Sequence, residues 1–143
     1  MEKVKILWVD DEIELLKPHI LFLERKGYVL STANNGEDAL DMIDNEVYDI
    51  IFLDENMPGI SGLETLSLIY ENHNIPVVMI TKSEEEYIME EALGSKISDY
   101  LIKPVNPHQI LLSLKKNLDA KRLVNEKVTS NYQKEFREIS MAL

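Results

Sequence analysis

Short apolar runs along the chain alternate with longer stretches in which apolar residues return every three or four positions. The runs VKILWV (4–9), YVLSTA (28–33), DIIFL (49–53), PVVMI (76–80) and DYLI (99–102) have the length and apolar character of strands. Between them Ile13, Leu16, Ile20 and Leu23 repeat at helical spacing, as do Ala39, Leu40 and Ile43, and then Leu63, Leu66 and Ile69. A fourth stretch supplies Ile88, Ala92 and Leu93, and a fifth Ile110, Leu111, Leu114 and Leu118. Ser61 with Glu64, and Ser83 with Glu86, have the spacing of a capping box, in which each side chain satisfies an orphan amide. Asn106-Pro107 places a cap before a proline at the first helical position, where its missing N–H costs nothing. Pro18 falls inside the first helical stretch and is expected to bend it locally.

Five strands alternating with five helices predict an α/β domain, a parallel sheet covered on both faces. In such a sheet the carboxyl ends of all strands share one edge. Asp10-Asp11 follow the first strand, Asp54 the third, Thr81 the fourth and Lys103 the fifth, so these residues converge on that edge. Ligands of doubly wound sheets bind there, at the point where strand order reverses. For the order 2-1-3-4-5 that point lies between strands one and three, where the three aspartates gather. Three carboxylates in one crevice repel each other unless a cation joins them. An all-oxygen site of this kind suits Mg²⁺ or Mn²⁺ and leaves room for a phosphate oxygen. The three aspartates are balanced by one Mg²⁺ and one lysine, a setting that phosphoryl transfer requires. A carboxylate can itself be the nucleophile, forming an acyl phosphate.

Each residue alone also has a plainer reading. An aspartate at a strand end is commonly a turn former or helix cap, Thr81 could cap the helix that follows, and Tyr100 could be core packing. It is the set on one rim that favours a site. His19, His73 and His108 have no metal spacing and read as solvated or structural. The run Glu84-Glu85-Glu86 is a favourable charge at a helix start.

Composition narrows the class. The 143 residues are 45% hydrophobic, contain no cysteine and carry a formal net charge of −11. Disulfide frameworks and thiolate chemistry are excluded, and sequence-independent nucleic-acid binding by this chain is disfavoured, because it needs a basic surface. No apolar run approaches the roughly 20 residues that span a bilayer, and the opening MEKVKILWVDDE does not read as a signal peptide. A cytoplasmic location with no membrane association is therefore expected. Residues 1–120 hold 10 Lys/Arg and 23 Asp/Glu, whereas residues 121–143 hold 5 and 3, which marks a boundary near 120. In the second segment Val128, Tyr132, Phe136, Ile139 and Leu143 form an apolar stripe at helical spacing, as in a helical linker or the start of an output region. The chain closes on ISMAL without a terminating signal, as a fragment of something longer would.

The set LWVDDE, FLDENMPGISG, MITKS and DYLIKPV, in this order, resembles the receiver domain of two-component response regulators. The likeness covers roughly residues 3 to 120 and implies a flavodoxin-like, doubly wound (βα)5 receiver, here with a C-terminal helical extension. By that resemblance Asp54 is the phosphate acceptor, Asp11 a direct Mg²⁺ ligand, and Asp10 a holder of metal waters. Asn56 would offer its main-chain carbonyl to the metal, Thr81 would bond a phosphoryl oxygen, Lys103 would pair with the phosphate and Tyr100 would be the aromatic switch. The Lys103–Pro104 bond would be cis. The implied partners are a sensor histidine kinase and, on phosphorylation, a second copy of the chain. In its wording the chain looks most like the front end of PorX-type regulators of type IX secretion in Bacteroidota, which carry a PglZ-type domain after a helical linker. One departure is GSKIS (94–98) where the family usually has a small Gly-Ala turn, which bears on the shape of the switch face. Asn56 and Ser83 flank the acceptor at positions that tune phosphate lifetime in relatives. Two rivals remain: a Mg²⁺-dependent phosphohydrolase with an aspartate nucleophile, disfavoured because Asn56 stands where a second acid would be wanted, and a receiver-like interaction module that is never phosphorylated.

Overall fold

The computed structural model describes residues 3–82, 85–94 and 97–118. Its sheet has five parallel strands: β1 (Lys5–Val9), β2 (Val29–Ala33), β3 (Ile50–Leu53), β4 (Val77–Thr81) and β5 (Asp99–Ile102), in the spatial order β2-β1-β3-β4-β5. These strands fall within a residue of the apolar runs, and Thr81 is the last residue of β4 rather than the first beyond it. Helices α1 (Lys17–Arg25), α2 (Gly36–Asn45), α3 (Gly62–Asn72) and α4 (Glu86–Gly94) follow the first four strands, and residues 107–118 form α5.

Alternation along the strands divides the core in two. Leu7, Val9, Ile51, Leu53, Val77 and Met79 face one side and pack with Ala39 and Ile43 of α2, Leu66 and Ile69 of α3, and Ala92 of α4. Ile6, Trp8, Ile50, Phe52, Val78 and Ile80 face the other, against Leu23 of α1 and Ile110 and Leu114 of α5. Both faces of the central strands are thus removed from water, which is why their sequences are unbroken apolar runs rather than alternating ones. Leu93 departs from the sequence expectation: it is exposed, and the inward face of α4 carries Ile88 and Ala92 instead.

Pro18 does not bend the middle of a helix. A 3-10 segment, Ile13–Leu16, carries the chain off β1, and α1 starts afresh at Lys17 with the proline in its first turn. There the missing N–H would have had no intrahelical partner in any case. Ser61 caps α3 by accepting from the amide of Glu64 at 3.1 Å. Asn106 and Gln109 cap α5 reciprocally, each side-chain oxygen accepting from the other's amide at 2.9 and 2.8 Å. The Ser83–Glu86 box, the GSKIS turn at Ser95 and Lys96, and the stripe from Val128 to Leu143 lie outside the described residues.

Candidate functional site

Three strand ends deliver the site. Asp10 follows β1, its amide held by the carbonyl of Ala33 at 3.0 Å, and Asp54 follows β3, its amide held by Val9 at 3.0 Å. Continuing the sheet's hydrogen bonds by one residue sets both aspartates beside each other. One carboxylate oxygen from each of Asp10, Asp11 and Asp54 lies within 4.8 Å of the others, with Asp10 and Asp54 buried and Asp11 exposed. Lys103, whose amide donates to the carbonyl of Thr81 at 2.9 Å, extends its ammonium group inward from the end of β5. Its Nζ lies 2.5 Å from Asp10 Oδ2 and 3.7 Å from Asp54 Oδ2. The Lys103–Pro104 peptide is cis.

Asp54 is the electrostatic centre. Burial pushes its carboxyl above the usual carboxylate range; Lys103 pulls it back, and the charge of Asp10 pushes it up again. The Thr81 hydroxyl and the Asn56 amide both donate to it and favour the ionised form. For Lys103, burial works against the charge, but the hydrogen bond with Asp10 and the charges of Asp54, Asp10 and Glu12 outweigh it and hold the amine above its ordinary range. A carboxyl acceptor, a cation and a hydroxyl donor therefore converge on one point.

All the strand-end residues singled out from sequence meet here. Asn56 is exposed on the rim, two residues beyond Asp54. Tyr100 is partly buried on β5, in register with Met79, on the side of the sheet that carries α4. His19 and His73 make structural contacts away from the carboxylates, His19 with the Val105 carbonyl at 2.8 Å and His73 with Asp44 at 3.0 Å. Sequence reasoning missed Glu55. It is buried, and its two carboxylate oxygens accept from the Leu63 amide at 3.2 and 3.4 Å, tying the acceptor loop to the start of α3. Burial raises its carboxyl above the usual range while the Leu63 amide opposes the shift. An acid directly beside an acceptor, ahead of a capped helix, was the available signal. Gly62 completes the loop: a β-carbon there would collide with the carbonyl of Asp54 and the Cα of Glu55.

The fold and the site together define a class, a doubly wound α/β domain with an acidic cluster and a lysine at its topological switch point. The chain belongs to the response regulator receiver domain family, which it matches over residues 6–115. It is 39% identical over 113 residues to the transcriptional regulatory protein CpxR homolog of Haemophilus influenzae, covering 78% of this chain and 48% of that protein. It is 34% identical over 113 residues to the transcriptional regulatory protein ResD of Bacillus subtilis, covering 79% and 47%. A solved two-component response regulator from Clostridium difficile superposes with a TM-score of 0.78 at 32% identity, covering 82% of this chain and 97% of that one. The chain spans about half the length of the curated relatives it matches. It is a receiver domain of the two-component response regulator type. Among the described residues no helix is long and apolar enough to cross a membrane.

Proposed function

We propose that this receiver accepts a phosphoryl group on Asp54 and signals by a shift between two conformations. The observation that carries the reading is the buried Asp54 carboxylate, with Lys103 3.7 Å away and the carboxylates of Asp10 and Asp11 within 4.8 Å. The donor set fits a hard divalent cation: three carboxylates, all oxygen, two of them buried and one facing solvent. Asp11 and Asp54 would hold Mg²⁺ or Mn²⁺, with Asp10 acting through water and Asn56 through its main-chain carbonyl. Bound there, the ion supplies positive charge against the carboxylates and the incoming phosphoryl oxygens.

The chain's own groups divide the remaining work. An Asp54 oxygen attacks phosphorus in line while the bond from phosphorus to the donor's leaving atom breaks. That atom is an imidazole nitrogen in a sensor histidine kinase or a carboxylate oxygen in a small acyl phosphate. Lys103 and the Thr81 hydroxyl, both already directed at Asp54, transfer their contacts to the new phosphoryl oxygens. Those contacts exist only in the phosphorylated state, so they can shift a population. Inward movement of Thr81 would open space for the Tyr100 ring, and the face of α4, β5 and α5 would then favour a homodimer or an effector surface.

In this reading residues 1–120 are the receiver and residues 121–143 a helical linker into an output region, in the cytoplasm. The wording of the chain supports a PorX-type regulator of type IX secretion, whereas the two relatives named above are transcriptional regulatory proteins. The length of the intact reading frame discriminates between these outputs. The phosphorylation reading is tested by intact mass: acetyl phosphate with Mg²⁺ should add one phosphoryl group. Persistent labelling of Asp54→Asn, or of the native chain in excess chelator, would refute it.

A further inference from the structure

We propose that His19 is a positioning residue for Lys103, fastening the connection that carries the ammonium group to the acceptor. His19 lies on α1, and its Nε2 is 2.8 Å from the carbonyl oxygen of Val105. A carbonyl can only accept, so Nε2 carries a proton. Nδ1 is buried and makes no hydrogen bond among the described residues. Among the described residues the ring therefore hydrogen-bonds to the Val105 carbonyl alone. Its angle is set from the sheet side by Trp8, whose ring it meets edge-on with centres 6.2 Å apart.

Val105 stands two residues beyond Lys103 in the connection from β5 to α5. The amide of Lys103 is already held by the Thr81 carbonyl at 2.9 Å. The connection is thus gripped on both sides of the lysine by different elements, β4 before it and α1 after it. Beside this contact a pocket of about 370 Å³ opens to solvent, lined in part by Leu15, Leu16, His19, Lys103, Pro104 and Val105. The Val105 side chain packs on the same face of the core, and the His19 bond adds a directional hold that apolar contact lacks. The tolerance is small, because Nζ must reach Asp10 at 2.5 Å and Asp54 at 3.7 Å from one backbone position. A displacement of about 1 Å at a reacting group is enough to slow a reaction severely.

The inference rests on the reading that Lys103 pairs with the transferred group. Its test compares the 143-residue chain with His19→Ala, His19→Gln, Lys103→Ala and the His19→Ala/Lys103→Ala double variant. Rates of phosphorylation by acetyl phosphate and Mg²⁺ affinity by calorimetry are measured for each. His19→Ala should phosphorylate about tenfold more slowly with Mg²⁺ affinity changed by less than about twofold. His19→Gln should recover most of the rate, because its amide N–H can donate to the same carbonyl. In the Lys103→Ala background, His19→Ala should add no further loss. Equal losses in both backgrounds, equal losses for Ala and Gln, or a fall in Mg²⁺ affinity matching the fall in rate would each overturn the proposal. A second readout needs no phosphoryl transfer, so it separates this inference from the phosphorylation reading. The side-chain nitrogen resonance of Lys103 should move toward that of a solvated lysine in His19→Ala and stay in place in His19→Gln. An unmoved resonance in His19→Ala would overturn it as well.

Discussion

Asp54 holds its proton more tightly in the folded chain than an exposed aspartate does, chiefly because it is buried and secondarily because Asp10 adds its charge. The sign of the linkage follows. The stability this raised carboxyl contributes is fully present below the unfolded value and is lost as pH rises through the folded one. The ionised form of the acceptor is thus a cost to stability that function requires. Asp54→Asn should therefore unfold at a higher urea midpoint than the native chain in metal-free buffer, while losing all phosphorylation. A cation that binds only the folded state stabilises by about 2.7 kcal/mol at a concentration of about 100 Kd. Mg²⁺ should accordingly raise the native midpoint and leave Asp54→Asn nearly unchanged; an equal response of both proteins would remove Asp54 from the metal site. Gly62→Ala places a methyl against the Asp54 carbonyl and should cost about 1–3 kcal/mol, read from the same urea curves. Its phosphorylation should fall too, since the backbone that must yield is that of the acceptor itself.

At the scale of elements, caps and punctuation decide where helices begin. Pro18 occupies the first turn of α1, so Pro18→Ala should change stability by less than about 0.5 kcal/mol. A proline in a helix interior costs about 3 kcal/mol, and a gain of that size on its removal would show that α1 begins earlier than described. Asn35, whose side chain accepts from the Asp38 amide at 2.8 Å, is the cap of α2. Asn35→Ala should cost about 1 kcal/mol, with no effect on Mg²⁺ affinity. The position of Pro18 in its helix is not distinguishable in the sequence, because it sits within an apolar repeat that runs without a break from Ile13 to Leu23. The 3-10 turn that divides the repeat arises because the chain leaving β1 must first turn back over the sheet.

For the molecule as a whole, the expected output of phosphorylation is a change in the surface built from α4, β5 and α5. Tyr100 is amphipathic, so two ring positions can lie close in free energy. A beryllium fluoride complex should bury the ring further, and crystals showing the same exposure with and without the mimic would argue against Tyr100 as the switch. Self-association should strengthen with the mimic in residues 1–143, measured by sedimentation. It should weaken in a 1–120 truncation if the Val128–Leu143 stripe contributes an apolar face, each buried large side chain being worth about 1.5–3 kcal/mol. Monomers at both lengths and in both states would reduce residues 121–143 to a linker.

The strands, their parallel arrangement and the meeting of Asp10, Asp11, Asp54, Thr81 and Lys103 were legible from sequence alone. A strand buried on both faces needs an unbroken apolar run, and parallel strands must share a carboxyl edge. Local chemistry likewise announced the caps at Ser61 and Asn106. What depended on residues distant in sequence was not legible. Glu55 has no distinct reading in the sequence, because its partner, the Leu63 amide, is brought to it only when α3 turns back. His19 reads as solvated or structural, with no partner named, until the fifth strand brings Val105, 86 positions away, to within 2.8 Å. Periodicity records which face of an element avoids water. It carries no record of which polar group on another element will satisfy a buried donor, because that pairing is set only when the sheet and helices close around it.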